Sequence, residues 1–215
     1  MEKKFIPALR FKWLTPFFDS LMKLTGLEKK INQFFLQSAE IKGGETILDF
    51  GCGTGTFLLI LKKENPTARV FGLDIDPQII KFAQKKIQCS NLEINLQTYA
   101  GKEFPYPSQT FDLVFTSLVF HHLHKKQKIL ALQEIYRILK KGGYFHLLDF
   151  DQAGQLFLQL LFLPIRFIDG FPNTRDHAKG NLPQLIQATG FKQLREKKQL
   201  LTPLGKLSFY QAAKN

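Results

Sequence analysis

Thr46-Ile-Leu-Asp-Phe-Gly-Cys-Gly-Thr-Gly-Thr56 reads as a buried strand, an acidic residue near its end, a glycine turn and the start of a helix. Glycines at 51, 53 and 55 allow positive φ and let a ligand come up against the main chain. In open α/β sheets, ligands sit beyond the carboxyl ends of the strands, where this turn lies. A Gly-x-Gly-x-x-Gly spacing would mark a dinucleotide whose pyrophosphate rests on the helix N-terminus. The spacing here is Gly-x-Gly-x-Gly, and Asp49 stands two residues before the first glycine. A carboxylate there repels a pyrophosphate and favours a ligand with a cationic head. The next apolar run, Phe71-Gly-Leu-Asp-Ile-Asp76, carries Asp74 about twenty residues beyond the glycines, the separation at which an acid accepts both hydroxyls of a ribose. Together the turn and the acid describe a nucleoside site. Asp76 reads as the cap of a helix beginning at Pro77.

Working outward, short apolar runs alternate with helical patterns, which predicts a mostly parallel sheet covered on both faces. Strands are expected at Thr46–Phe50, Arg69–Leu73, Glu93–Gln97, Asp112–Ser117 and Gly143–Asp149. The helix from Pro77 places Ile79, Ile80, Ala83 and Ile87 on one face, with Lys85 and Lys86 in its last turn. Ile129, Leu132, Tyr136 and Leu139 predict a second helix from about Lys125, stopped by Gly142–Gly143. After a helix at Leu182–Ala188, Phe191–Lys198 and Lys206–Ala212 are separated only by a short turn, which predicts an antiparallel pair. The aromatic-rich stretch from Phe5 to Glu40 reads as a helical lid, giving residues 1–40 as lid and 41–215 as one globular unit.

A chain of 215 residues, 44% hydrophobic and 22% charged, can bury a full core. Two cysteines, Cys52 and Cys89, are too few for a disulfide framework and suit a reducing compartment; their spacing matches no metal site. No export signal is visible at the N-terminus, so the cytoplasm, or the inner face of the membrane, is the expected location. The net charge of +12 favours something anionic as a neighbour, although the lysines and arginines are scattered rather than blocked and also serve solubility.

As a set, several motifs resemble the class I S-adenosylmethionine-dependent methyltransferases, nearest the ubiquinone/menaquinone C-methyltransferase branch. They are Leu48-Asp-Phe-Gly-Cys-Gly-Thr-Gly55, Gly72-Leu-Asp-Ile-Asp76, Phe111-Asp-Leu-Val-Phe-Thr-Ser117, Phe120-His-His-Leu123 and Leu139-Lys-Lys-Gly-Gly143. The resemblance covers about residues 40 to 150. It implies a Rossmann-like, doubly wound α/β fold of seven strands, mostly parallel with an antiparallel last strand. It also implies S-adenosyl-L-methionine as cofactor, with S-adenosyl-L-homocysteine as product. Its donor site maps onto Asp49, Gly51, Cys52, Gly53, Gly55, Asp74, Ile75, Ala100 and Thr116. The chain departs from the family pattern in two places. Ala100 falls where members often carry an acid for the adenine amino group, which leaves adenine to backbone groups and to apolar contact from Tyr99 and Ile75. Lys141 stands where proline is usual before the paired glycines.

His121 and His122 follow the fourth strand beside the expected methyl position. A neutral histidine there can take the acceptor's proton; the plainer alternative has one packing and the other facing solvent. With His124 they are not expected to hold a metal, for want of further ligands. The apolar Gln155–Ile168 segment is too short and too interrupted to span a bilayer. It reads as the roof of an acceptor pocket, as a membrane-resting surface, or as packing against the sheet or a dimer partner. Asp169–His177 reads as a polar loop over the site that recognises the acceptor. The expected activity is methyl transfer to a small, hydrophobic or lipid-like acceptor. Nucleic acid is not an expected partner, peripheral membrane contact is, and monomer and homodimer are both compatible. The alternatives are an RNA- or protein-modifying methyltransferase and a non-catalytic S-adenosylmethionine-binding protein.

Overall fold

A computed structural model describes residues 27–39, 41–151 and 156–215. Its centre is β1 (Thr46–Phe50), every residue of which is buried. A strand buried along its whole length needs a neighbour on each edge and cover on each face. Parallel β2 (Arg69–Asp74) and β4 (Phe111–Ser117) supply the edges, with Asp49 opposite both Gly72 and Phe115. The seven-stranded order is β3-β2-β1-β4-β5-β7-β6, with β3 at Ile94–Thr98, β5 at Leu139–Phe150, β6 at Lys192–Thr202 and β7 at Gly205–Ala213. Only β7 runs antiparallel, seated between β5 and β6 and pairing Tyr144 with Ala213 through Phe150 with Leu207. The β6 edge carries Lys192, Arg195, Lys197 and Lys198, charges that discourage pairing with another sheet.

Helices cover both faces. On one lie α1 (Leu27–Ser38) and α2 (Thr56–Glu64). Phe35 fastens α1 through rings at 5.2–5.5 Å from Phe57, Phe115 and Phe209. Burying such a ring is worth roughly 1.5–3 kcal/mol. The inner face of α1 is therefore core; the rest of the expected 1–40 lid, apart from Ala39, lies outside the described residues. Next come α3 (Pro77–Gln88), capped by Asp76 Oδ1 accepting from Gln78 N at 2.8 Å, and α4 (Lys125–Ile138).

Three local expectations are corrected. The glycines 142 and 143 do not end α4: the chain leaves the helix at Leu139 (φ −67°, ψ 140°) and passes directly into β5. Gly142 instead takes φ +75° within β5, where the pairing with β4 jumps from Phe111–Leu139 to Leu113–Tyr144. The buried face of α4 is Lys128, Ala131, Leu132, Ile135 and Ile138, turned by one residue from the apolar stripe because Lys128 has buried partners. Finally, Asp169–His177 is not a polar loop. After α5 (Leu156–Leu161) and α6 (Leu163–Asp169) it forms most of α7 (Phe171–Lys179), with Asn173, Thr174, Asp176 and His177 buried. The chain then runs through α8 (Leu182–Ala188) into β6. Gln155 lies outside the described residues.

Candidate donor and acceptor site

The donor half is built from strand ends. Directly after β1, Gly51, Gly53 and Gly55 take φ of +76°, +53° and +73°. The turn hangs from β2: Gly51 N and Cys52 N both donate to Leu73 O, at 2.7 and 3.2 Å. Gly53 N donates to Asp74 Oδ2 at 2.9 Å and Asp76 N to Asp74 Oδ1 at 3.0 Å. Two backbone amides thus aim the Asp74 carboxylate, and each oxygen keeps a lone pair for a sugar hydroxyl. A side chain built at Gly53 would meet nothing within 4 Å, so the main chain there is open to a ligand.

Asp49 is 5% exposed. Burial, reinforced by Asp74, pushes its carboxyl up to about 8, and no hydrogen bond from a described residue reaches it. A buried acid left without a donor is costly, and a cationic ligand group beside it removes that cost. S-adenosylmethionine, a nucleoside carrying a sulfonium and an ammonium, fits both the ribose acid and the uncompensated carboxyl. Cys52 is buried between them, its thiol pushed up by burial, Asp49 and Asp74, which makes it a wall rather than a nucleophile. Ile75 lies against the next loop, where a Cβ on Gly101 would stand 3.2 Å from Ile75 Cδ1. Half-buried Tyr99 packs on Phe50 and Phe104, and Ala100 is exposed beside it. Thr116, one residue past the partner of Asp49, is 1% exposed, and its hydroxyl has no partner among the described residues.

The acceptor half begins where β4 ends. Leu118 sits at φ +57°, a strained conformation that turns the chain into a single 3₁₀ turn, Phe120–His122. Asp149, near the end of β5, accepts from Phe120 N at 2.7 Å, His121 N at 3.2 Å and Phe150 N at 2.7 Å, and pairs with His121 Nδ1 at 2.7 Å. Burial alone would raise this carboxyl, but His121 and His177 hold it well below the usual range. For His121 the opposition runs the other way: burial lowers it, Asp149 and Asp169 outweigh burial, and the ring ends above an ordinary histidine. His122 is lowered by burial and by His121, against the hydrogen bond of its Nδ1 to Asp169 Oδ1 at 2.8 Å. His121 Nε2 faces the other Asp169 oxygen at 3.8 Å.

The two halves touch. A Cβ on Gly51 would lie 2.2 Å from Val119 Cγ2, so only glycine lets the histidine turn pack directly on the donor turn. Gly51→Ala, which also forces alanine into positive φ, is expected to lower unfolding free energy by about 1–3 kcal/mol and to weaken donor binding. Urea denaturation and calorimetry read the two effects, and Val119→Ala should return part of the first.

Sequence reasoning missed the shell behind the histidines. Lys128 of α4, fully buried, donates to Asn173 O at 2.5 Å and Asp176 Oδ2 at 3.2 Å, and its Nζ lies 3.4 Å from His177 Nδ1. Asn173 Nδ2 donates to His122 O at 2.9 Å and Asp169 O at 2.8 Å. Lys128→Ala strands the Asp176 carboxylate and is expected to cost about 3–5 kcal/mol, read by chemical denaturation. For Asp149 a signal was available: like Asp49 and Asp74, it is an acid at the end of an apolar strand. His124 turns away to cap α4, its amide donating to Gln127 Oε1 at 3.0 Å. Asp169, at the end of α6, lies beside the pair, so that one ligand atom each from His121, His122 and Asp169 lie within 4.8 Å of one another, a grouping the sequence did not reveal.

Comparison with known proteins adds independent ground. Residues 47–143 match the methyltransferase domain family. The chain is 30% identical over 155 residues to the demethylmenaquinone methyltransferase of Lactobacillus johnsonii, covering 70% of this chain and 63% of that one. It is 30% identical over 139 residues to the ubiquinone/menaquinone biosynthesis C-methyltransferase of Xanthomonas campestris, covering 63% and 53%. The chain thus spans less than two thirds of these relatives. The YcgJ protein of Bacillus subtilis shares the fold with a TM-score of 0.70 at 16% identity, over 86% of this chain and 97% of that one. A seven-stranded sheet with its antiparallel insertion, a glycine turn between two strand-end acids and this family match agree, and residues 47–143 form a methyltransferase domain of the class I S-adenosylmethionine-dependent type.

Proposed function

We propose that the chain methylates a lipid-like aromatic acceptor of the quinol class, at a ring carbon, in the cytoplasm or at the inner face of the membrane. The observation that carries the transfer itself is the uncompensated Asp49 carboxyl beside the open main chain at Gly53. The relatives' names, which specify menaquinone and ubiquinone methylation, support the acceptor class.

When bound, S-adenosylmethionine supplies a methyl group on a positively charged sulfur. Asp49 sets its cationic end, Asp74 grips the ribose, and Ile75 with Tyr99–Gly101 flanks the base; Gly51, Cys52, Gly55 and Thr116 shape the floor. His121, its Nδ1–H fixed on Asp149, is the base for an acceptor hydroxyl that would enter beside Asp169, whose Oδ2 lies 3.8 Å from Nε2. That deprotonation would make the ring carbon the nucleophile; the proton on that carbon is then lost to water as the ring regains aromaticity, and His121 returns its proton to the acceptor oxygen. His122, tied to Asp169, borders the acceptor. Holding both reactants in line and dry supplies roughly 7–11 kcal/mol of the barrier.

Calorimetry with S-adenosylmethionine, S-adenosylhomocysteine and NAD tests the donor: the first two bind and NAD does not. Transfer of labelled methyl to reduced demethylmenaquinone, set against simple phenols and RNA, tests the acceptor. Labelling of RNA and not of the quinol would replace this reading.

A further inference from the structure

The helices between β5 and α8 leave an apolar face uncovered. Leu156, Phe157 and Leu160 of α5, Phe167 of α6 and Phe171 of α7 are 74%, 65%, 56%, 68% and 43% exposed. They are five of the nine exposed large hydrophobic side chains among the described residues. Leu158, Phe162 and Ile165 are buried beneath them, so the arrangement is fixed from below. Exposed apolar side chains gathered on three consecutive helices, with the Phe167 and Phe171 rings 5.3 Å apart, mark a place of contact.

Charge says what it contacts. From residue 156 to 179 the only acids are Asp169 and Asp176, and their carboxylates are turned inward, 3% and 6% exposed, onto His122 and Lys128. The outward charges are all positive. Arg175 and Lys179 are exposed one and two turns beyond Phe171 on the same side of α7. Arg166 lies 4.5 Å over the Phe171 ring. An apolar centre rimmed by cations, with no acid facing out, is complementary to an anionic lipid surface: acyl chains for the rings and phosphates for the guanidinium and ammonium groups. The net charge of +12 draws the chain the same way. No helix among the described residues is long and apolar enough to cross a membrane, so these lie on it.

We infer that α5–α7 form a peripheral docking surface for an anionic bilayer. Phe157, Leu160 and Phe167 sit at the headgroup–acyl boundary, and Arg175 and Lys179 sit on phosphates. The surface adjoins the acceptor half directly, because α6 ends in Asp169, the partner of His122. It gives an acceptor dissolved in the bilayer a short way to the histidines, yet binding to the lipid does not depend on which acceptor is methylated.

Flotation of the full-length protein with phosphatidylcholine vesicles, with and without phosphatidylglycerol, tests it. The wild type is expected to float with the anionic vesicles and to be released by high salt. Phe157→Ser/Phe167→Ser should reduce partition at least tenfold. Arg175→Ala/Lys179→Ala should reduce it by about fivefold per cation removed. Both variants should keep the wild-type circular dichroism and donor affinity. Wild type that stays with neither vesicle, or variants that float as well as wild type, would overturn the proposal. So would a wild-type dimer in light scattering that the phenylalanine variant converts to monomer, which would assign the face to a second copy. Failure of the methyltransferase reading is a separate result: donor binding absent while flotation persists.

Discussion

Asp49→Asn is expected to weaken S-adenosylmethionine binding by about 10–100-fold, the value of a hydrogen bond to a charged group, and at the same time to stabilise the protein at alkaline pH. Both follow from one carboxyl held at about 8 by burial and by Asp74. In the unfolded chain the group titrates near 3.8. Between those values the folded protein keeps a proton that the unfolded chain has released. Stability is therefore full below the lower value and falls as pH rises toward the upper one, at about 1.4 kcal/mol per pH unit. Asparagine does not titrate, so the variant's melting temperature should exceed that of wild type at pH 8.5 and match it near pH 4. Binding runs the other way. A cationic donor needs the ionised acid, so wild-type affinity should fall by up to tenfold per pH unit below about 8, with proton release on binding, and the variant should be flat. Calorimetry in buffers of different ionisation heat measures both. Equal affinity of variant and wild type at pH 8.5 would remove Asp49 from the site.

His121→Gln should lower the rate of methyl transfer by about 10²–10⁴-fold, the usual contribution of a general base, and leave donor affinity unchanged. The base must be neutral to act. Against the opposing effect of burial, Asp149 and Asp169 hold His121 above the ordinary histidine value, so activity should fall with decreasing pH earlier than a free imidazole would dictate. Asp149→Asn should move that acidic limb to lower pH. It should also cost stability, since Asp149 accepts three backbone amides. A wild-type rate in His121→Gln would leave the ring a packing role only. An acidic limb unmoved in Asp149→Asn would separate the carboxylate from the base.

The sheet was legible because its strands are locally written. Thr46–Phe50 is apolar at Ile47, Leu48 and Phe50 without a two-residue alternation, the pattern of a strand covered on both faces in a parallel sheet. The glycine turn and Asp74 were equally plain, because the constraint on each lies in its own few residues. The shell around the histidines was not, because it is assembled from distant parts. Lys128 is drawn into the core by Asp176, forty-eight positions along the chain. Asp169–His177 is polar enough to read as a loop, yet Asn173, Asp176 and His177 are polar in order to bond α4 and the histidine turn. Nothing within a short window distinguishes a solvated carboxylate from one with a buried partner. The end of α4 was missed for a related reason: paired glycines are a strong stop signal locally, but the pairing of Leu139 with Phe111 had already made the chain a strand.

The position of β7 has a kinetic consequence. An inner strand of the sheet is supplied by sequence that follows the edge strand β6, and its contact with β5 joins residues as far apart as Tyr144 and Ala213. Closing a loop of that length before any pairing rewards it is slow. Until that closure is made, β5 has an open edge beside it. Capture of that edge by the β6–β7 hairpin is the step that decides between a finished sheet and aggregation, and a peptide matching β7 should compete for it.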